Sequence, residues 1–140
     1  MSELLAPVSY GELIDKISIL QIKAERITDA AKVANVQREL DALLGTWNAH
    51  PASRQAPIDD LWEGLRKING ELWDIEDRIR DKERAGEFDA AFIELARAVY
   101  FTNDVRAKLK RDLNTRLGSA LVEEKSYADY TRAGGAAPQV

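Results

Sequence analysis

Between residues 88 and 117, apolar side chains recur at alternating steps of three and four, and the line they draw runs through a guanidinium. Phe88, Phe92, Leu95 and Val99 lead into Thr102, Arg106, Leu109 and Leu113, the spacing of one face of an α-helix. Asn103, Lys110 and Asn114 border that face. A charge on a core-facing stripe is costly unless something meets it. The chain must therefore either supply a carboxylate opposite Arg106 or receive an anion there.

The remaining patterns are helical as well. Ser9 followed by Glu12 has the spacing of a capping box and predicts a helix start. Leu13, Ile17, Leu20, Ala24 and Ile27 then share one face, with Glu12, Lys16, Lys23 and Arg26 across the cylinder. Thr28 and Asp29 are candidate caps for a second helix striped by Val33, Val36, Leu40, Leu43 and Trp47. The short link between the two makes an antiparallel hairpin. His50 to Pro57, with Pro51, Ser53 and small residues, reads as a loop. A third helix from Pro57 carries Leu61, Leu65, Ile68, Leu72, Ile75 and Ile79, and Gly86 is placed to end it. The fourth runs from near Phe88 and Asp89 to Gly118.

No strand alternation is visible, so the expected fold class is all-α. The predicted architecture is an antiparallel helical bundle of two helical hairpins, four main helices in all, plus a short C-terminal helical or extended segment. Residues 1–132 are expected to form a single helical domain, with 133–140 a flexible tail. At ~1.5 Å per residue the second hairpin is the longer. Its far end should project, with Ser119 to Tyr130, bearing Leu121, Val122, Tyr127 and Tyr130, as the cover.

Composition bounds the function. A chain of 140 residues with 45% hydrophobic content fits one domain with a genuine core. Its net charge of -4, with both signs interspersed, supplies no basic field, so nucleic acid is not an expected partner. The absence of cysteine excludes a disulfide framework and thiolate chemistry. No stretch approaches the roughly 20 apolar residues of a membrane span, and Met1 to Val8 lack the pattern of a signal peptide. A cytoplasmic location is expected. His50 is the only histidine, which argues against a histidine metal site or a serine–histidine–carboxylate triad. Gly64 and Gly70 lie within the third helix, where they permit close helix approach rather than cradle a phosphate.

Folding the third helix back on the fourth about Gly86 sets Asn69 level with Arg106, and Trp73 and Glu76 beside Val99 to Asn103. Glu76 is then the expected fork-shaped partner of Arg106, with the asparagines completing the hydrogen bonds. The candidate ligand-binding set is Asn69, Trp73, Glu76, Asn103, Arg106, Lys110 and Asn114. It reads either as an internal ion-pair network that fixes register or as a site where Arg106 and Lys110 exceed the neighbouring acids and hold a phosphate or carboxylate. A secondary cluster, Glu12, Asp15, Lys16 and Lys23, reads mainly as a solvated face with an i, i+4 ion pair. Glu12 with Asp15, and Glu71 with Asp74, have a carboxylate spacing used by some magnesium enzymes. Neither pair shares a face with the apolar stripes, and no metal or cofactor is assigned.

The segments GELIDKISILQIKAERI, NVQREL, LWDIEDRIR, FDAAFIELARAVYFTNDVRAKLKRDLN and LVEEKSY resemble a bacterial family known as a domain of unknown function, numbered 6165, over nearly the whole chain. The resemblance falls on Glu12, Leu13, Asp15 and Lys16, then on Asn35, Val36 and Glu39. It continues with Asn69, Leu72, Trp73, Glu76 and Arg80, with Asn103, Arg106, Lys110 and Asn114, and with Glu123 to Tyr127. It implies a small stand-alone helical protein, or a module met beside sugar-transfer and cell-surface polysaccharide functions, and carries no established activity.

Two functional classes follow. The first is a non-catalytic accessory or interaction module with an architectural polar network, for which a homodimer is a candidate assembly. The second is a small helical enzyme or binding protein for an anionic metabolite, a sugar phosphate or nucleotide sugar, clamped by Arg106 and Lys110, oriented by Asn69 and Asn103, with Glu76 as acid-base candidate or counterion.

Overall fold

The computed structural model describes residues 2–131 and 135–140. It contains four long helices: α1 (Tyr10–Arg26), α2 (Ala30–Ala49), α3 (Asp59–Ala85) and α4 (Ala90–Leu117). A single 3-10 turn, Pro51–Arg54, interrupts the loop before α3. Among the described residues there is no strand, and 71% of them are helical, the 3-10 turn included. The expected tail begins at 133, within residues 132–134 that lie outside the described ones.

The helix ends are made by local chemistry. The Ser9 hydroxyl accepts from the Glu12 amide at 3.1 Å, and Asp29 and Asp89 accept from Lys32 and Phe92 in the same way at 3.0 Å each. Gly86 and Gly118 close α3 and α4 in the left-handed conformation, at φ 67° and 64°, where a side chain would be strained. His50, the lone histidine, accepts from the Ala52 amide at 3.1 Å and so starts the 3-10 turn.

Two antiparallel hairpins form as expected, but they do not make a square bundle. The centre is α1, which packs against α2, α3 and α4, whereas α2 packs on α1 and the 3-10 turn. Only Leu40 and Trp47 of α2 are buried. The main core joins Ile14, Ile17 and Leu20 of α1 to Leu61, Leu65 and Ile68 of α3 and Leu113 and Leu117 of α4, with Leu40 and Trp47 added from α2. Gly64 lets α3 approach α4, since a Cβ there would meet Leu109 at 3.1 Å.

The last residue of α1, Arg26, pairs with Asp74. Eleven residues of α3, 75–85, lie beyond that level, so the hairpin projects about 16 Å past α1. A smaller core of Ile75, Leu95 and Ala98, with Ile79 and Val99, holds the projection together. After Gly118 the chain turns back and runs extended along α4. Tyr130 reaches Asp104 and packs on the rings of Tyr100 and Phe101, the Ala136 carbonyl accepts from Arg97 at 2.6 Å, and the Gln139 amide donates to Glu94 at 2.8 Å. This strap covers α4 through polar groups and one tyrosine, while Leu121, Val122 and Tyr127 stay exposed.

Candidate functional site

Arg106 does turn inward, but its partner is not Glu76. The guanidinium donates from Nε to Asp15 Oδ1 at 2.9 Å and from Nη2 to Asp15 Oδ2 at 2.5 Å, the two-point geometry that suits a fork to a carboxylate. Asp15 is 1% exposed. Its Oδ1 also accepts from Asn69 Nδ2 at 2.9 Å; that same amide donates to Ser18 Oγ at 2.9 Å, and the Ser18 hydroxyl donates to the Asp15 carbonyl at 2.7 Å. Asp15, Ser18 and Asn69 close a ring through the Asp15 backbone carbonyl, and Arg106 joins it at the Asp15 carboxylate, tying α1, α3 and α4 at one level. Glu76 instead pairs along its own helix with Arg80 at 3.3 Å.

The expectation that Glu12 and Asp15 lie off the buried face is corrected for Asp15, and the reason is the central position of α1. A helix with three neighbours buries a wider arc than a single stripe, and Gly11, Ile14, Asp15, Ser18 and Ile22 are all inside. Glu12, half-buried, faces Lys110. The Lys110 ammonium sits 2.8 Å from Glu12 Oε2 and 2.7 Å from Glu123 Oε2, and Glu123 Oε1 lies 2.6 Å from Lys125. Burial works against the Lys110 charge, yet Glu12 and Glu123 outweigh it and its pKa ends raised. The hydrogen bonds Arg106 donates to Asp15 likewise raise that of its guanidinium. Lys110, then Lys125, hold the Glu123 carboxyl down at about 2.

Asn114 is a helix-joining residue. Its Oδ1 accepts the Gly11 amide at 2.7 Å, which answers a free donor in the first turn of α1. Gly11, which the periodicity did not single out, permits that contact: a Cβ there would stand 2.4 Å from the Lys110 carbonyl oxygen. Lys16 pairs with Glu39 of α2 at 3.3 Å in solvent, apart from Arg106. Trp73 lies against Arg26, 5.8 Å from ring centroid to guanidinium carbon.

Arg106 separates two concavities. One, of about 440 Å³, is lined by Ile19, Ile22, Leu72 and Trp73 with Asn69 and Glu76 at its edge. The other, of about 350 Å³, lies between α4 and the strap, where Tyr100, Asn103 and Ala107 face Lys125, Tyr127 and Tyr130, and Lys110 is also at its wall. The candidate set is thus divided: Asn69, Trp73 and Glu76 on one side, Asn103 and Lys110 on the other. Asn114 lines a third hollow with Lys110 and Glu123.

The cations do not exceed the acids. Arg106, Lys110 and Lys125 meet Asp15, Glu12 and Glu123, and Asp104 stands in the strap cavity bonded to Tyr130. Among the described residues no buried side-chain nitrogen or oxygen lacks a hydrogen-bond partner, and no group of three or more histidine, cysteine or acidic side chains is placed to hold a metal. Asp15 is taken by Arg106 and Asp74 by Arg26. No helix among the described residues is long and apolar enough to cross a membrane.

No curated protein and no solved structure matches this chain. A sequence family described as "Family of unknown function (DUF6165)" matches residues 4–138. That span covers nearly the full chain, and the protein belongs to the DUF6165 family.

Proposed function

We propose that this protein is a non-catalytic interaction module whose polar centre is architectural. The supporting observation is the network of Asp15, Ser18, Asn69 and Arg106, in which the buried carboxylate and the guanidinium consume one another. Such a network fixes register among helices and gives a rigid base from which the long hairpin and the strap are presented. A homodimer is one assembly such a module would form, and light scattering across a concentration series checks it.

The alternative, a binding protein or enzyme for a sugar phosphate or nucleotide sugar, draws on Arg106, Lys110 and Lys125 at the wall of the strap cavity. Three cations there face four acids, Asp15, Glu12, Glu123 and Asp104. A dianionic ligand would enter surroundings with no positive excess.

A thermal-shift series against sugar phosphates, nucleotides and inorganic phosphate separates the two, because any ligand bound only by the folded state raises Tm. The interaction module shows no rise with any of them, and Arg106→Met lowers Tm. A metabolite that raises Tm in the native chain, and fails to do so in an Arg106→Met chain of unchanged stability, overturns the proposal.

A further inference from the structure

The strap is held without a core of its own. From residue 120 to 131 no side chain is buried, and none contributes to either hydrophobic cluster. Its anchors on α4 are Glu123 on Lys110 at 2.7 Å, Glu124 on Arg111 at 3.1 Å and Tyr130 on Asp104, Tyr100 and Phe101. The Arg111–Glu124 pair is 52% and 75% exposed, and ion pairs so open to water contribute little and are screened by salt.

The fit beneath is loose as well. Strap and helix flank a half-open hollow of about 350 Å³, and the Asn103 amide at its wall has no hydrogen-bond partner among the described residues. The α4 face is cationic where the strap is acidic. Arg106 and Lys108 are met by Asp15 and Asp112, so the cations the strap answers are Lys110, shared between Glu12 and Glu123, and Arg111, whose carboxylate is Glu124. What covers this surface therefore states the chemistry it accepts: an extended backbone, two consecutive acids, and a tyrosine one helix turn or more further along α4.

We propose that the α4 face from Tyr100 to Arg111 is a docking strip for an extended, acidic, tyrosine-bearing segment of a partner protein, with residues 119–131 as the occupant in the free chain. The inference rests on the interaction-module reading and names its partner class. A partner segment that seats an apolar or aromatic side chain in the hollow and bonds Asn103 gains contacts the strap lacks. Tethering favours the strap by effective concentration, so exchange is governed by how firmly Glu123 and Glu124 hold.

The test uses the full-length chain and a fluorescein-labelled peptide of the strap sequence, SALVEEKSYADYT, read by anisotropy. A chain carrying Glu123→Gln and Glu124→Gln should show faster amide exchange over 121–130 and bind the peptide at least about tenfold more tightly than the native chain. Adding Arg111→Glu to that chain should weaken binding severalfold, and a peptide with Glu124→Arg should restore it. Unchanged exchange over 121–130, equal affinity of the two chains, or indifference to Arg111→Glu each overturns the proposal. A released chain that dimerises without taking up peptide overturns it in favour of a second copy as occupant. These outcomes leave the Asp15–Arg106 pair untouched, whereas failure of the interaction-module reading appears separately, as a metabolite-induced rise in Tm of the native chain.

Discussion

Arg106 and Arg111 stand five residues apart on α4, and each meets a carboxylate, yet the two pairs do opposite work. Arg106 reaches inward to an Asp15 that is 1% exposed, and Asn69 donates a further hydrogen bond to the same carboxylate. Arg111 reaches outward to Glu124 in open solvent. Water decides the difference. Inside, the Asp15 carboxylate cannot exchange its partner for hydration, so the pair locks three helices at one register. Outside, hydration competes with every contact, so the pair holds a segment that can leave. Lys110 lies between them in both position and character, buried itself but bound to half-exposed Glu12 and Glu123.

The sharpest way to break this contrast is to remove one inner partner. Arg106→Met leaves the Asp15 carboxylate buried without its counterion, and urea unfolding should show a loss of about 3–5 kcal/mol. Gly11→Ala acts on the same junction through sterics. Its methyl would lie 2.4 Å from the Lys110 carbonyl oxygen, so α1 must shift from α4 at a cost of about 1–3 kcal/mol. Asn69→Ala removes the donor to Asp15 and Ser18 and should cost a similar amount, about 1–3 kcal/mol.

The outer contacts should respond differently. Arg111→Gln should change global stability by at most about 1 kcal/mol while raising amide exchange over 121–130 severalfold. Acid sharpens the same point. The Glu123 carboxyl has an ordinary value of 4.5 and is held at about 2 in the fold by Lys110 and Lys125. A carboxyl depressed on folding stabilises above its unfolded value and loses that contribution as pH falls through the folded one. Proton-detected exchange should therefore show the strap loosening between pH 4.5 and about 2.

Much of the helical frame was legible because local chemistry writes it. Ser9, Asp89, Gly86 and Gly118 mark ends by satisfying or terminating backbone hydrogen bonds, and those residue types advertise that role. Arg106 was legible as a charge on an apolar stripe, and Asn69 as its neighbour, since a tight turn at Gly86 fixes the register of α3 against α4. Asp15 was not, because whether a helix buries one stripe or three sides depends on its neighbours, and α1 proved central. For the same reason Glu76, placed level by register, was the wrong acid. Gly11 shows no signal in periodicity; its meaning appears only when the α4 backbone comes against it. The strap was foreseen as a cover by elimination, but an extended segment has no period from which its contacts can be read.

The central claim is that Asp15 and Arg106 form one structural unit. A double-mutant cycle with Asp15→Leu and Arg106→Met, measured by urea unfolding, tests it directly. Each single change should be strongly destabilising and the double change should recover much of the loss, with a coupling of about 2 kcal/mol or more. Losses that add within about 0.5 kcal/mol would mean that the two residues stand beside each other without holding the helices together.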